Sequence, residues 1–113
     1  MVPPINDSNA SYGFDQVASA DILNYSGVTG NIVVGTSAIE AKVGSTRLEN
    51  RKVLVIYNSS NSTIYWGFSP SLTTTSGLPI FKQQTLTIQI GDALAIYLIA
   101  NTSGNNILIA EGG

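Results

Sequence analysis

The chain contains no histidine and no cysteine, and that limits its chemistry before any fold is considered. The usual general base at neutral pH, most transition-metal sites, and the Ser-His and Cys-His nucleophile arrangements all need one or the other. What remains is seven carboxylates, Asp7, Asp15, Asp21, Glu40, Glu49, Asp92 and Glu111. A glycosidase-like mechanism would need two of them facing each other across a cleft, and none sits in a motif. Glu40 lies beside Lys42 on a strand face expected to be exposed, Asp92 falls in a turn, and the others lie in the N-terminal segment or near strand ends. No G-x-G-x-x-G or G-x-x-x-x-G-K-[ST] loop is present to cradle phosphate, and no D-x-[DN]-x-[DN]-G run to hold calcium. These residues point to a protein that is not an enzyme and has no catalytic residue, cofactor or metal.

The run TIYWGF (63–68) is the local feature that could bind a ligand, because Tyr and Trp rings stack on sugars. On a strand Tyr65 and Trp66 point to opposite faces. The expectation is that Trp66 fills the core and Tyr65 lies at the surface or in a subunit contact, with a sugar platform as the competing role.

Charged residues make up 11% of the chain against 43% hydrophobic ones, so solubility must come from the abundant Ser, Thr and Asn. The net charge of −2, without a basic stripe, argues against nucleic acid. The opening MVPPINDSNASYG has no basic region followed by an apolar run, and no apolar stretch reaches ~18 residues, so neither a signal peptide nor a membrane span is expected. Asn-X-Ser/Thr triplets, among them those at Asn9, Asn24, Asn58, Asn61 and Asn101, read as chance products of this composition.

At 113 residues one domain suffices. Residues 1–22 read as an extended arm, since Pro3 and Pro4 cannot donate to a ladder and Ile5, Tyr12, Phe14 and Val17 are isolated. FDQVASADIL (14–23) is the alternative, a short helix. Residues 23–113 read as the domain proper. β-branched and aromatic runs recur there between Gly, Asn, Ser and Pro clusters, predicting strands over 31–35, 38–43, 52–58, 63–68, 85–90, 93–100 and 106–111. Leu86, Ile88 and Ile90 should face inward while Thr85, Thr87 and Gln89 face water, and Ile39, Ala41 and Val43 inward while Glu40 and Lys42 face out. NSSN (58–61), Gly91-Asp92 and SGNN (103–106) read as tight links between antiparallel neighbours. SPSLTTTSGLPIFKQQ (69–84) reads as a crossing between sheets, with Gly77 at positive φ and Pro79 stiffening it. The fold class is all-β, an antiparallel two-sheet sandwich with an extended N-terminal arm, a small barrel being the alternative. Arg51 should lie at a sheet end, exposed or bound to Glu49 or a carboxyl-terminal group.

The order of segments in 49–113 resembles a class of small virion proteins of tailed bacteriophages. It runs from an Asn-Arg strand (Asn50-Arg51) and an Asn/Ser hairpin through a Tyr-x-Gly strand (Tyr65–Gly67) and a T-T-x-G-L-P crossover (74–79). An alternating Thr/Leu/Ile strand (85–90), a Tyr-containing strand and a closing Ala-Glu (Ala110-Glu111) follow. The resemblance implies a β-sandwich structural subunit on the capsid exterior, a decoration or cement protein bound to the major capsid protein. A neck, tail or fibre component is the alternative, with a carbohydrate-binding receptor role among its forms. A homo-oligomer is also expected, because ALAIYLI (93–99) is apolar on both faces, one holding Leu94, Ile96 and Leu98 and the other Ala93, Ala95, Tyr97 and Ile99. The interface candidates are Tyr97, Ile99, Tyr12, Phe14 and Tyr65.

Overall fold

The computed structural model describes residues 26–113. The proposed arm, the alternative helix over 14–23, the domain boundary at 22/23, Tyr12 and Phe14 lie outside the described residues. Eight strands are found among those described. They are β1 (Gly27–Val34), β2 (Ile39–Glu40), β3 (Val53–Asn58), β4 (Ile64–Gly67), β5 (Leu78–Ile80), β6 (Thr85–Gln89), β7 (Tyr97–Ala100) and β8 (Asn105–Gly112). They build two four-stranded antiparallel sheets, ordered β1-β8-β3-β6 and β2-β7-β4-β5. The structure is thus a sandwich and not a closed barrel.

The period-2 pattern of the sequence builds the core. In β3 and β8 every second residue is buried, so Leu54 and Ile56 line up with Ile107 and Ile109 on one face. Ile64, Ile80, Leu98 and Ala100 of the second sheet meet them from the other side, with Val34, Ala41 and Ile96 filling the flank. Branched side chains suit this packing, being stiff and shaped to cover a pleated surface. Leu86, Ile88 and Ile90 do face inward while Thr85, Thr87 and Gln89 are exposed, yet the three are only half-buried because β6 is an edge strand.

Several expectations are corrected. Of strand 38–43 only Ile39–Glu40 pairs, and Ile39, on the rim of β7, is 39% exposed although Ala41 and Val43 pack inward as expected. Strand 93–100 begins at Tyr97. The residues before it form a turn, and of the face expected to hold Leu94, Ile96 and Leu98 the first is exposed and the other two are buried. β5 was not anticipated, because Pro79 argues against a strand; it is tolerated since β5 is an edge strand, where a missing N–H can face away from the ladder.

The connections are the larger correction. NSSN and SGNN do not close hairpins, since β3 leads to β4 and β7 to β8 in the opposite sheet, and the segment after Gly91-Asp92 likewise crosses from β6 to β7. The long link 69–84 does not cross as a whole: its first part returns to pair β5 with β4, and only 81–84 crosses. Sheets ~10 Å apart can be joined by four or five residues, so a short polar link fits a crossing as well as a hairpin. The resulting pairs are 1 with 8, 2 with 7, 3 with 6 and 4 with 5, an antiparallel ribbon folded at β4–β5 and rolled upon itself, which is the jelly-roll arrangement.

Core truncations should grade with depth. Ile109→Ala should cost ~2–5 kcal/mol in urea unfolding, Ile88→Ala ~1–2 kcal/mol because the site is already half open, and Thr87→Ala under ~0.5 kcal/mol.

Candidate functional site

Eight of the nine charged side chains in residues 26–113 gather at the end of the sandwich where β3 begins and β8 finishes; Lys82, in the 81–84 turn, is the ninth. At their centre is a buried ion pair. Arg51 Nη1 donates to Glu111 Oε2 at 2.9 Å, with both side chains wholly inaccessible. Arg51 Nη2 donates to the carbonyls of Gly91 and Leu94, at 2.9 and 2.8 Å. Glu111 accepts from the backbone N–H of Val43 through Oε1 (3.1 Å) and of Leu48 through Oε2 (3.3 Å). Arg51 is therefore not an exposed charge, and its partner is neither Glu49 nor a terminal group; Glu111 is not a solvated strand-end acid. Alternation places Glu111 on the inward face of β8, in line with Ile107 and Ile109. A charge there is tenable only if its partner is buried with it.

The other charges tie down the surrounding loops. Asn50, in the left-handed region at φ 61°, donates its N–H to Asp92 Oδ2 at 2.8 Å, and Arg47 Nη1 donates to the Asp92 carbonyl at 2.6 Å. Glu40 is not an exposed acid but 13% accessible. Arg47 Nε lies 2.6 Å from its Oε2, a charge contact lacking hydrogen-bond alignment, and Lys42 Nζ lies 3.5 Å from Oε1. A hollow of ≈ 580 Å³ opens here between Ser26, Asn50, Lys52 and Gly113. Its Arg51 is turned into the core and its Asp92 holds a loop. Among the described residues no three metal-binding side chains come together.

The opposite end is capped by buried amides. Asn58 Nδ2 donates to the carbonyls of Ser62 (2.7 Å) and Ile80 (2.8 Å), and its Oδ1 accepts from Ser60 N–H and Oγ–H. Asn105 Nδ2 donates to the Val34 and Thr102 carbonyls. Asn58 is thus buried in structural hydrogen bonds, whereas Asn61 and Asn101 of the other triplets are exposed.

A second feature lies on the β4–β5 side. Trp66 packs against the core, as expected, and its ring meets that of Phe68 edge to face with centroids 5.6 Å apart. With Leu78 they wall a cleft of ≈ 390 Å³ rimmed by Ser69, Ser71 and Ser76. Phe68 and Leu78 are more than half exposed, and no charged side chain lines the cleft. Tyr65 is not part of it: the residue sharing a face with Trp66 is Phe68, two positions on, and the sequence reading missed it.

Tyr65, Tyr97 and Ile99 do come together, on the outward face of the second sheet, where Tyr65 lies opposite Ile99 and Gly67 opposite Tyr97. Ile99 is only 7% exposed and both tyrosines are half-buried. Leu72 of the crossover reaches onto this face through gaps left by two glycines. A Cβ on Gly67 would sit 2.7 Å from Leu72 Cδ1, and one on Gly77 2.8 Å from Tyr65 Cβ. Close approach, and not the expected positive φ, is what Gly77 supplies. The chain itself provides part of the cover for which a neighbouring subunit was expected.

Removing one partner of the buried pair should be costly and removing both less so. Arg51→Met or Glu111→Leu alone should lose ~3–5 kcal/mol, while the double variant should recover part of that loss. Equilibrium unfolding of the four proteins measures the coupling.

Set against protein-family models the chain matches none, and set against curated proteins it finds no match.

Proposed function

We propose that the protein is a non-enzymatic structural component of a bacteriophage virion, a decoration or cement protein that binds the major capsid protein on the capsid exterior. The observation that carries this reading is the way charge is spent. Arg47, Arg51, Asp92 and Glu111 hold loops to the sandwich end, the outward face of the β1-β8-β3-β6 sheet is left neutral and partly apolar, and that of the second sheet carries Glu40 opposite Tyr97, paired with Arg47 and Lys42. A neutral face of this kind suits docking onto protein better than the capture and turnover of a small charged substrate. The segment order of 49–113 and the jelly-roll arrangement, which viral capsid and lectin domains use, agree with it; the fold argument is an analogy.

A specific observation favours a second reading, a carbohydrate-binding neck, tail or fibre component. The Trp66–Phe68 cleft joins an aromatic wall to serine hydroxyls without charge, a combination suited to a neutral sugar ring.

Imaging purified protein mixed with undecorated capsids tests the first reading. Density at regular positions over the capsid is expected, and binding confined to the vertex, neck or tail rejects it. On a glycan array the second reading expects a signal that Phe68→Ala removes; Phe68 is exposed enough for the fold to survive.

A further inference from the structure

We propose that the outward face of the β1-β8-β3-β6 sheet is a self-association surface, on which a second copy of this chain docks about a twofold axis perpendicular to the sheet. The pairing goes beyond the virion reading and does not depend on it.

Three observations carry the proposal. The first is charge: the outward positions are 27, 29, 31 and 33 on β1, 53, 55 and 57 on β3, 85, 87 and 89 on β6, and 106, 108, 110 and 112 on β8, and none is Asp, Glu, Lys or Arg. In a twofold contact each group meets surroundings made by the same surface, so a neutral face avoids like-charge repulsion. The second is composition. The centre is apolar, formed by Val53, Val55, Leu108 and Ala110, and the flanks are Thr, Asn and Gln, an apolar centre with a neutral polar rim.

The third is relief, which selects a second copy over an unrelated partner. Along β8 the outward side chains shrink from Leu108 through Ala110 to Gly112. Along β1 they fall in the same direction, from Val33 to Gly27 with Asn31 and Thr29 of similar size between, and along β3 from Tyr57 to Val55 and Val53, while along the edge strand β6 the order reverses, from Thr85 and Thr87 to Gln89. Three of the four strands therefore give the face the slope of a wedge. Its high end carries Val33 and Leu108, 56% and 44% exposed, and Tyr57, whose hydroxyl is pinned to Gln83 Oε1 at 2.6 Å. A hollow of ≈ 430 Å³ lies mid-face, between Tyr57, Leu108, Asn31 and Ala110, and a second of ≈ 450 Å³ lies at the low end over Gly112, with Gln89 and Lys52 at its border. A twofold rotation lays each high end on the other copy's low end, so the wedge fills itself. The same rotation sends the two charged ends to opposite extremities, where they stay in water.

Strands of eight, eight, six and five residues, at ~3.4 Å rise and ~4.8 Å spacing, give a face of ~440 Å² per copy. Two such faces bury ~900 Å², just under the ~1,000 Å² of a stable specific interface, so a weak self-affinity in the micromolar range is expected.

Sedimentation of the full chain from ~1 to ~100 µM, the range matching that affinity, is the test. The wild type should pass from monomer to dimer. Ala110→Glu should weaken the dimer at least ~10-fold by desolvating an unpaired charge at the contact, and Thr75→Glu, on the crossover, should not. The chain has no cysteine, so single thiols report on proximity without interference. Under mild oxidation Ala110→Cys, near the axis, should form a covalent dimer and Thr75→Cys should not, a readout that survives if Ala110→Glu fails to fold. Equal cross-linking at both positions overturns the proposal, as does a folded Ala110→Glu dimer of unchanged affinity. A monomeric wild type overturns it too, whether the Ala110→Cys thiol then proves open to reagents or shielded by residues 1–25.

Discussion

The Arg51 guanidinium and the Glu111 carboxylate meet 2.9 Å apart with no access to water, and the whole end of the sandwich is arranged around that contact. Taking each ion out of water costs several kcal/mol, and attraction alone repays this only when the remaining donors and acceptors are also engaged. Four further hydrogen bonds do so, from Arg51 to the carbonyls of Gly91 and Leu94 and to Glu111 from the N–H groups of Val43 and Leu48. The pair thereby anchors both long irregular links, 41–52 and 90–96, to the last strand. Arg51 Nε is the one member left without a hydrogen bond, a residual cost on the order of 1–3 kcal/mol that the network carries.

The opposite end meets the same problem with neutral groups. Four links cross between the sheets there, 35–38, 59–63, 81–84 and 101–104, and their backbone carbonyls need donors that the ladders do not supply. Asn58 reaches the Ser62 and Ile80 carbonyls, and Asn105 reaches those of Val34 and Thr102. The apolar core is thus closed by an ion pair at one end and by amides at the other. Asn58 in particular turns the chain from β3 into the facing sheet and holds the end of β5 beside it.

Among the described residues nearly all charge lies at one end, and this has a consequence for the surface. The outward face of the first sheet presents Thr, Asn and Gln beside its apolar residues, groups that hydrate well yet lose less than ions when covered by another protein. The edges are protected unevenly: β2 is two residues long and β5 contains Pro79, whereas β1 and β6 are longer and carry no charge. The charged end is committed to holding the fold together.

The sequence by itself determined what depends on neighbours along the chain. The inward set Leu86, Ile88 and Ile90, the strand character of 53–58 and 105–112, and the all-β class follow from period-2 alternation and β-branched runs. Opposite faces for Tyr65 and Trp66 follow from the same geometry, and the missing His and Cys restrict the available chemistry. Only the tertiary structure decided which elements meet. Nothing local distinguishes a four-residue link that closes a hairpin from one that crosses ~10 Å to the facing sheet, so NSSN and SGNN were misread. Arg51 and Glu111 are sixty residues apart, and each alone reads as an exposed charge, because the burial that makes them partners exists only once β3 and β8 lie side by side. The same holds for the Trp66–Phe68 cleft, whose rim comes from the returning crossover, and for the wedge on the first sheet, whose slope becomes a surface only when β1, β8 and β3 are brought into register.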